Sequence, residues 1–331
     1  MTRRLVVGAF SPSVLLRVGR RAGLLGDLDV TEKPVPSSPG QFRALLDGEL
    51  DAALTSPDNV IAYRFDPRNP LGGTADVRIV AAIDRGLGLG VYARPTHATA
   101  AVLKGATIGV DVPGSGFAFG LYALLESIGL SRDDYQVVAL GSTPKRLDAL
   151  LAGDCDATML NAGNELRAEA AGAVRLGSLA DVCRPYLGTV LSVAGDRTRP
   201  QVEALAAALR ETAARVLAGS LDELVVEEAA QALRLPEALA ARYLDRLKDP
   251  DEGLVADGEV DLASMETVVG LRRRYLPAIV DGADVLATAL DPARGLISPA
   301  RGSAVSVRGA AGPARGFTDP ARGFTDPAAR R

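Results

Sequence analysis

The sequence contains no tryptophan, only 4% aromatic residues and a single histidine in 331 residues. A site that grips its ligand by aromatic stacking is therefore not expected, and recognition has to come from hydroxyls, backbone groups and aliphatic walls. The histidine, His97, lies in the 95–98 linker with no cysteine or carboxylate at useful spacing, so neither a metal site nor a histidine base is expected. Cys155 and Cys183 stand in apolar surroundings without CxxC spacing and read as two buried thiols. Charge of one sign is also lacking: 37 Lys and Arg against 41 Asp and Glu leave a net −4, with no basic stripe interleaved with aromatics, so nucleic acid is excluded as a partner. No apolar run reaches the roughly 18 residues a membrane span needs. The start Met1-Thr2-Arg3-Arg4 runs straight into the strand-like Leu5-Val6-Val7-Gly8-Ala9 and is too short for a signal segment. As written, the chain is expected in the cytoplasm, and outside it only if a leader precedes Met1. Nucleophile-elbow, Walker and dinucleotide motifs are missing too: Gly114-Ser115-Gly116 lacks the later glycine and the acidic residue, and the glycine-rich 85–90 stretch reads as strand near a hinge. No cofactor is expected.

What is present is the material for two cores. Hydrophobic residues make up 47% and charged ones 24%, and 331 residues exceed what one core usually supports. The segment ALLDGELDAALTSPDN at 44–59 resembles ALLAGDCDATMLNAGN at 149–164 without a gap, pairing Ala44 with Ala149, Gly48 with Gly153, Asp51 with Asp156 and Asn59 with Asn164. Each copy reads as a helix end, a glycine stop, an apolar strand and a polar loop. Upstream of the first lie a strand at 5–9, a helix near 14–22 and a strand near 29–35. Upstream of the second lie a strand at 107–110, a helix near 117–127 and a strand near 135–139. In that helix Phe117, Leu121, Leu124, Leu125 and Ile128 trace one buried face.

Both halves are thus βαβαβ units of parallel strands, and the expected architecture is α/β: two lobes, a ligand cleft and a two-crossing hinge, followed by C-terminal helices. The strands at 79–83 and 87–92 place the first crossing near Arg94, and the strand ending at Ala194 places the return near Gly195. Lobe 1 is then 1–93 with 195–290, and lobe 2 is 94–194. Helices near 200–217, 222–233, 236–247 and 265–275 should pack on lobe 1. From residue 291 the chain repeats ARGFTDP and related Pro-Ala-Arg-Gly units, a composition that reads as a disordered tail over 291–331.

Ligands on open parallel sheets bind beyond the carboxyl ends of the strands, so the post-strand loops are the candidate site. The sharpest is Asp111-Val-Pro-Gly-Ser-Gly-Phe117, a strand end passing into a helix. Ser115 suits the N-cap, Gly114 and Gly116 let backbone amides approach an anion, and Phe117 counts among the contacts of the same turn. The matching turn of the first half carries Phe10, Ser11 and Ser13. Ser38, Ser56, Asn59 and Asn161 fall at the same level. Asp51 and Asp156 sit at the opposite strand ends and read as structural.

The motifs Val35-Pro-Ser-Ser38, Leu46-Asp-Gly-Glu-Leu-Asp51, Leu103-Lys-Gly-Ala-Thr-Ile-Gly-Val-Asp111 and Ala149-Leu-Leu-Ala-Gly-Asp-Cys-Asp156, in this order, resemble the nitrate, sulfonate and taurine substrate-binding proteins of ABC transporters. The likeness runs over about 5–196. It implies the type II periplasmic-binding-protein fold shared with thiamine-pyrimidine synthases, and a monomer that closes about its hinge on a small organic anion or zwitterion such as a sulfonate or carboxylate. It further implies an importer permease as partner and binding rather than catalysis. The alternative on the same fold is a cytoplasmic enzyme, biosynthetic or decarboxylase-like, acting on a small organic acid. The cysteine-rich iron motif and substrate histidine of the pyrimidine synthases have no counterpart here.

Overall fold

The computed structural model describes residues 4–196 and 198–276, so the repeat tail lies outside the described residues. The chain begins with strand β1 (Leu5–Ala9), helix α1 (Val14–Arg21), β2 (Val30–Pro34), α2 (Ser38–Leu46), β3 (Ala52–Thr55), α3 (Pro57–Phe65) and β4 (Val77–Asp84). It crosses to a second sheet and makes β5 (Gly90–Ala93), β6 (Thr107–Val110), α4 (Gly116–Ser127), β7 (Gln136–Ala139), α5 (Thr143–Ala152), β8 (Ala157–Leu160), α6 (Asn164–Ala170) and β9 (Val174–Ser178). It then returns for β10 (Thr189–Ala194) and the helices α7 (Arg199–Leu217), α8 (Asp222–Leu233), α9 (Glu237–Lys248) and α10 (Leu262–Tyr275). Among the described residues no helix is long and apolar enough to cross a membrane.

The sheets have orders β2-β1-β3-β10-β4 and β7-β6-β8-β5-β9. They are one topology used twice: the two central strands and one edge are parallel, and an antiparallel strand supplied by the other crossing sits beside the third. This is the two-lobe α/β architecture of type II periplasmic binding proteins. The duplication is also visible in register, because Val7 pairs with Ala52 as Ile108 pairs with Ala157. The duplicated aspartates explain it. The Asp51 carboxylate accepts from the Val6 amide at 2.9 Å, and the Asp156 carboxylate accepts from the Thr107 amide at 2.9 Å. Each staples the start of one parallel strand to the next, the structural role expected of them.

Three expectations are corrected. The first crossing is residues 85–89 rather than the vicinity of Arg94, because Gly90–Ala93 pairs antiparallel with Ala157–Leu160 and belongs to the second sheet. The return is residues 179–188 rather than Gly195, because Thr189–Ala194 already pairs with β3 and β4. The glycine-rich 85–90 stretch therefore supplies the crossing, residues 85–89, and the first residue of β5. Glycine is required where the crossings touch: a Cβ on Gly188 of the return would lie 2.5 Å from the Gly86 Cα and 2.7 Å from an Asp84 oxygen, so the two crossings pass in direct contact. Lastly, α7, α8 and α9 pack on lobe 1 through α1, β4 and one another, whereas α10 lies against both α3 and α4 and so spans the lobes.

One hydrophobic core runs beneath α3, α4 and α10, with members from both lobes such as Phe42, Ile61, Leu121 and Met265. A second lies between the first sheet and α1, α7, α8 and α9. Both cysteines are free and buried, and burial pushes their thiols up to about 11 for Cys155 and about 12 for Cys183.

Candidate functional site

Between the lobes lies a cavity of about 910 Å³, its opening to solvent included. Helix starts are aimed at it because each parallel strand delivers the chain into a helix at its carboxyl end. Ser13, Ser56 and Ser115 are the N-caps of α1, α3 and α4, and all three line the cavity. Their hydroxyl oxygens accept from the amides of Leu16, Asn59 and Ala118 at 3.3, 3.2 and 3.4 Å. A capping hydroxyl spends an acceptor on its own helix and keeps its O–H to donate, which suits an anionic ligand group in the field of the helix terminus.

Of the other residues expected in the site, Phe10, Ser11, Asn59, Phe117 and Asn161 also line the cavity. Ser11 faces the second lobe and accepts from the Asn164 side-chain amide at 3.0 Å. Asn161 donates to the Gly86 carbonyl at 3.1 Å, tying the floor of the cleft to the first crossing. Gly114, Gly116 and Ser38 do not line the cavity. The Gly116 amide is directed at the Asp58 carboxylate, and a Cβ there would lie 2.4 Å from the Asp58 Cβ, so this glycine serves lobe contact. Ser38 opens α2, is 3% exposed and meets the Tyr63 hydroxyl. It is displaced from the cleft because Ser37 caps that helix one residue earlier.

The charged members of the cavity wall were not anticipated. Arg146, 2% exposed, projects from α5. Its guanidinium donates to the carbonyls of Gly141 at 2.6 Å and Met159 at 3.2 Å and to the Thr143 hydroxyl at 3.0 Å. No carboxylate lies within 4 Å of it among the described residues, and burial draws its proton affinity down to a pKa of about 10. A buried guanidinium whose hydrogen-bond partners are all neutral is suited to an anionic ligand group, although the Asp111 carboxylate on the same cavity favours its charged form from beyond ion-pair distance. The signal was in the helix pattern: Thr143, Arg146, Leu147 and Leu150 occupy i, i+3, i+4 and i+7, so the arginine sits on the buried stripe.

Asp111 follows β6 directly and lines the cavity with one carboxylate oxygen buried and without a partner. Asp84 ends β4 on the same wall, where its carboxylate accepts from the Gly86 amide at 2.8 Å and from Thr189. Burial pushes Asp84 up to about 6. Because one donor lies in the first crossing and the other opens β10 just after the second, Asp84 pins the hinge. Past it the wall turns apolar, with Ile83, Leu87, Leu247 and Leu254 beside the Tyr243 ring. The cavity therefore has a polar, charged end under the helix termini and an aliphatic end under α9.

The lobes meet around this space. Ser142 N–H donates to the Pro36 carbonyl at 3.0 Å, beside Gly141, whose φ of +81° and 2.6 Å approach of a Cβ to that carbonyl admit only glycine. Arg272 of α10 pairs with Asp58 at 2.9 Å and lies 3.6 Å from Asp66. Tyr275 of the same helix stacks against Phe119 of lobe 2 and donates to Glu126 at 2.9 Å.

No family model and no curated protein matches the chain. Solved structures do. The alkanesulfonate-binding protein SsuA from Xanthomonas axonopodis pv. citri, bound to MOPS, is 20% identical over 85% of this chain and 96% of its own, with a TM-score of 0.67. The periplasmic nitrate-binding protein NrtA from Synechocystis PCC 6803 is 13% identical over 86% of this chain and 84% of its own, with a TM-score of 0.68. A zinc-bound ligand-binding component of an ABC-type import system from Staphylococcus aureus is 12% identical over 83% of this chain and 92% of its own, with a TM-score of 0.67. At these identities the likeness establishes the fold, over 84% to 96% of each neighbour's length.

Proposed function

We propose that this protein binds a small organic acid reversibly in the interlobe cavity, closing about residues 85–89 and 179–188, and presents it to an ABC importer. The observation that carries the reading is Arg146, a buried cation on the cavity wall with no carboxylate within 4 Å among the described residues, lining the same cavity as the helix termini capped by Ser13, Ser56 and Ser115. Donors that the fold leaves unused at a closed site are the chemistry of anion capture. The aliphatic end under α9 takes the carbon skeleton of the ligand. Ligand-binding components of import systems among the structural neighbours support the transport role, as their names state for those proteins.

A panel of short-chain sulfonates and carboxylates tests this by thermal shift, with solution scattering of free and loaded protein. Ligand at about a hundred times its Kd should stabilise the folded state by about 2.7 kcal/mol. The radius of gyration should fall, and mass spectrometry should recover the ligand unchanged. No shift with any acid, or conversion of the bound compound, sinks the reading.

A further inference from the structure

The loop 249–255, between α9 and α10, meets both lobes beside the hinge. Its backbone lies along the first crossing. The Leu87 amide donates to the Glu252 carbonyl and the Arg85 amide to the Gly253 carbonyl, each at 2.8 Å, and the Val255 amide donates to the Ile83 carbonyl at 2.9 Å. Leu254 forms an antiparallel bridge with Asp84, so the loop is carried by β4 and lobe 1. Its shape is set from within, because the Asp249 carboxylate accepts from the amides of Asp251 and Glu252 at 2.8 and 2.9 Å. The Glu252 side chain, 8% exposed, then reaches over to lobe 2. Its carboxylate accepts from the Ser178 hydroxyl at the end of β9 and from Arg175 of the same strand at 3.3 Å. Arg246 of α9 backs the other oxygen at 3.4 Å.

We propose that Glu252 is a positioning residue for ligand binding, a clasp that holds the lobes together across the hinge and so governs how fast ligand leaves. This rests on the cavity being a ligand site that closes about the two crossings. Glu252 itself does not line that cavity. Opening turns lobe 2 about residues 85–89 and 179–188 while the loop stays with lobe 1, so Ser178 and Arg175 part from the carboxylate. A contact made in one lobe arrangement and lost in the other biases the equilibrium by its whole free energy, and charge-assisted hydrogen bonds are the strong ones. Parting leaves Glu252 facing Arg246 alone. It also takes the carboxylate from Arg175, whose Nε is already buried without an acceptor. The nearby Arg184–Asp251 pair ties the loop to the second crossing at 2.7 Å, but both partners are about half exposed, where such pairs contribute little. Leu254 of the same loop lines the aliphatic end of the cavity, so the clasp and the ligand's carbon skeleton meet one segment of chain.

The test places spin labels at Leu46→Cys and Leu151→Cys, exposed positions that match between the lobes, the native cysteines being buried. Pulsed electron resonance reads the lobe separation in ligand-free protein, and stopped-flow mixing with butanesulfonate and hexanoate reads the binding rates. Glu252→Ala should add a second distance population and raise the dissociation rate about tenfold, with the association rate held within about twofold. Arg175→Met should do the same, and the double variant should be no worse than either single one, the mark of a shared contact. Glu252→Gln, which keeps an acceptor for Ser178, should fall between wild type and Glu252→Ala. It and Arg175→Met carry the comparison if the alanine variant does not fold. A purely structural role would lower the melting temperature without moving the rates. Unchanged lobe distances, unchanged dissociation or additive losses in the double variant would overturn the clasp and leave the ligand cleft standing. Failure of wild-type protein to bind either acid would overturn both.

Discussion

Arg272→Met should cost this protein about 3–5 kcal/mol at neutral pH, the usual penalty for removing one partner of a buried ion pair. The site fits that case: Asp58 is 1% exposed and Arg272 4%, and the arginine reaches Asp58 at 2.9 Å and Asp66 at 3.6 Å while lying over the Phe119 ring. Methionine replaces the apolar stem but leaves a carboxylate in the core with only the Gly116 amide directed at it. Burial already raises the Asp58 pKa, and the Arg272 charge opposes that rise. Without the arginine the folded-state value climbs further above the unfolded one. A group raised in this way stabilises fully below its unfolded pKa and loses that contribution as pH rises through its folded pKa. The deficit of Arg272→Met should therefore be smallest at pH 4–5 and widen toward pH 8. Urea denaturation followed by circular dichroism at the two ends of that range reads it directly. Asp58→Asn in the same background should recover most of the loss, because the stranded charge is gone. A loss under about 1 kcal/mol, a deficit independent of pH, or a double variant no better than Arg272→Met would refute the assignment of this pair as the buried tie between α10 and the lobes.

Further outcomes follow from other contacts. Glu165, fully buried at the start of α6 and pushed up to about 8 by that burial, makes the native protein lose about 2 kcal/mol between pH 6 and pH 8. Glu165→Gln should flatten that stretch of the stability–pH curve, and an unchanged slope would count against it. Gly188→Ala should destabilise by at least about 2 kcal/mol through the clash between the crossings, while Gly73→Ala, with nothing within 4 Å, should stay within about 0.5 kcal/mol. Equal melting temperatures for the two would refute the close packing of the hinge. Ser115→Ala should lower stability by about 1 kcal/mol through the lost N-cap and weaken ligand more than tenfold, whereas a loss of stability alone would remove Ser115 from the site.

Much of the frame was legible because it is local. The β6 strand and the α8 helix were expected over the residues they occupy, since apolar periodicity and glycine stops depend on near neighbours. The cavity-facing caps Ser13, Ser56 and Ser115 were among the expected site residues for the same reason, as a hydroxyl between a strand and a helix has one favourable place. Ser38 and Gly116 missed the cleft because a shift of one residue along a turn, or a carboxylate arriving from the other lobe, redirects what the turn presents.

By itself, the amino-acid sequence determined the duplicated βαβ halves, the stapling aspartates Asp51 and Asp156, and the helix starts that a cleft needs, all of them set by periods and spacings along one chain. Only the tertiary structure decided which sheet receives Gly90–Ala93 and Thr189–Ala194, since strands buried on nearly every side carry no polar face to mark their neighbours. It also decided that α10 spans both lobes and that Arg146 and Asp111, far apart in the chain, stand on one cavity wall. Those are consequences of packing, where a charge acquires its meaning from the partners it lacks.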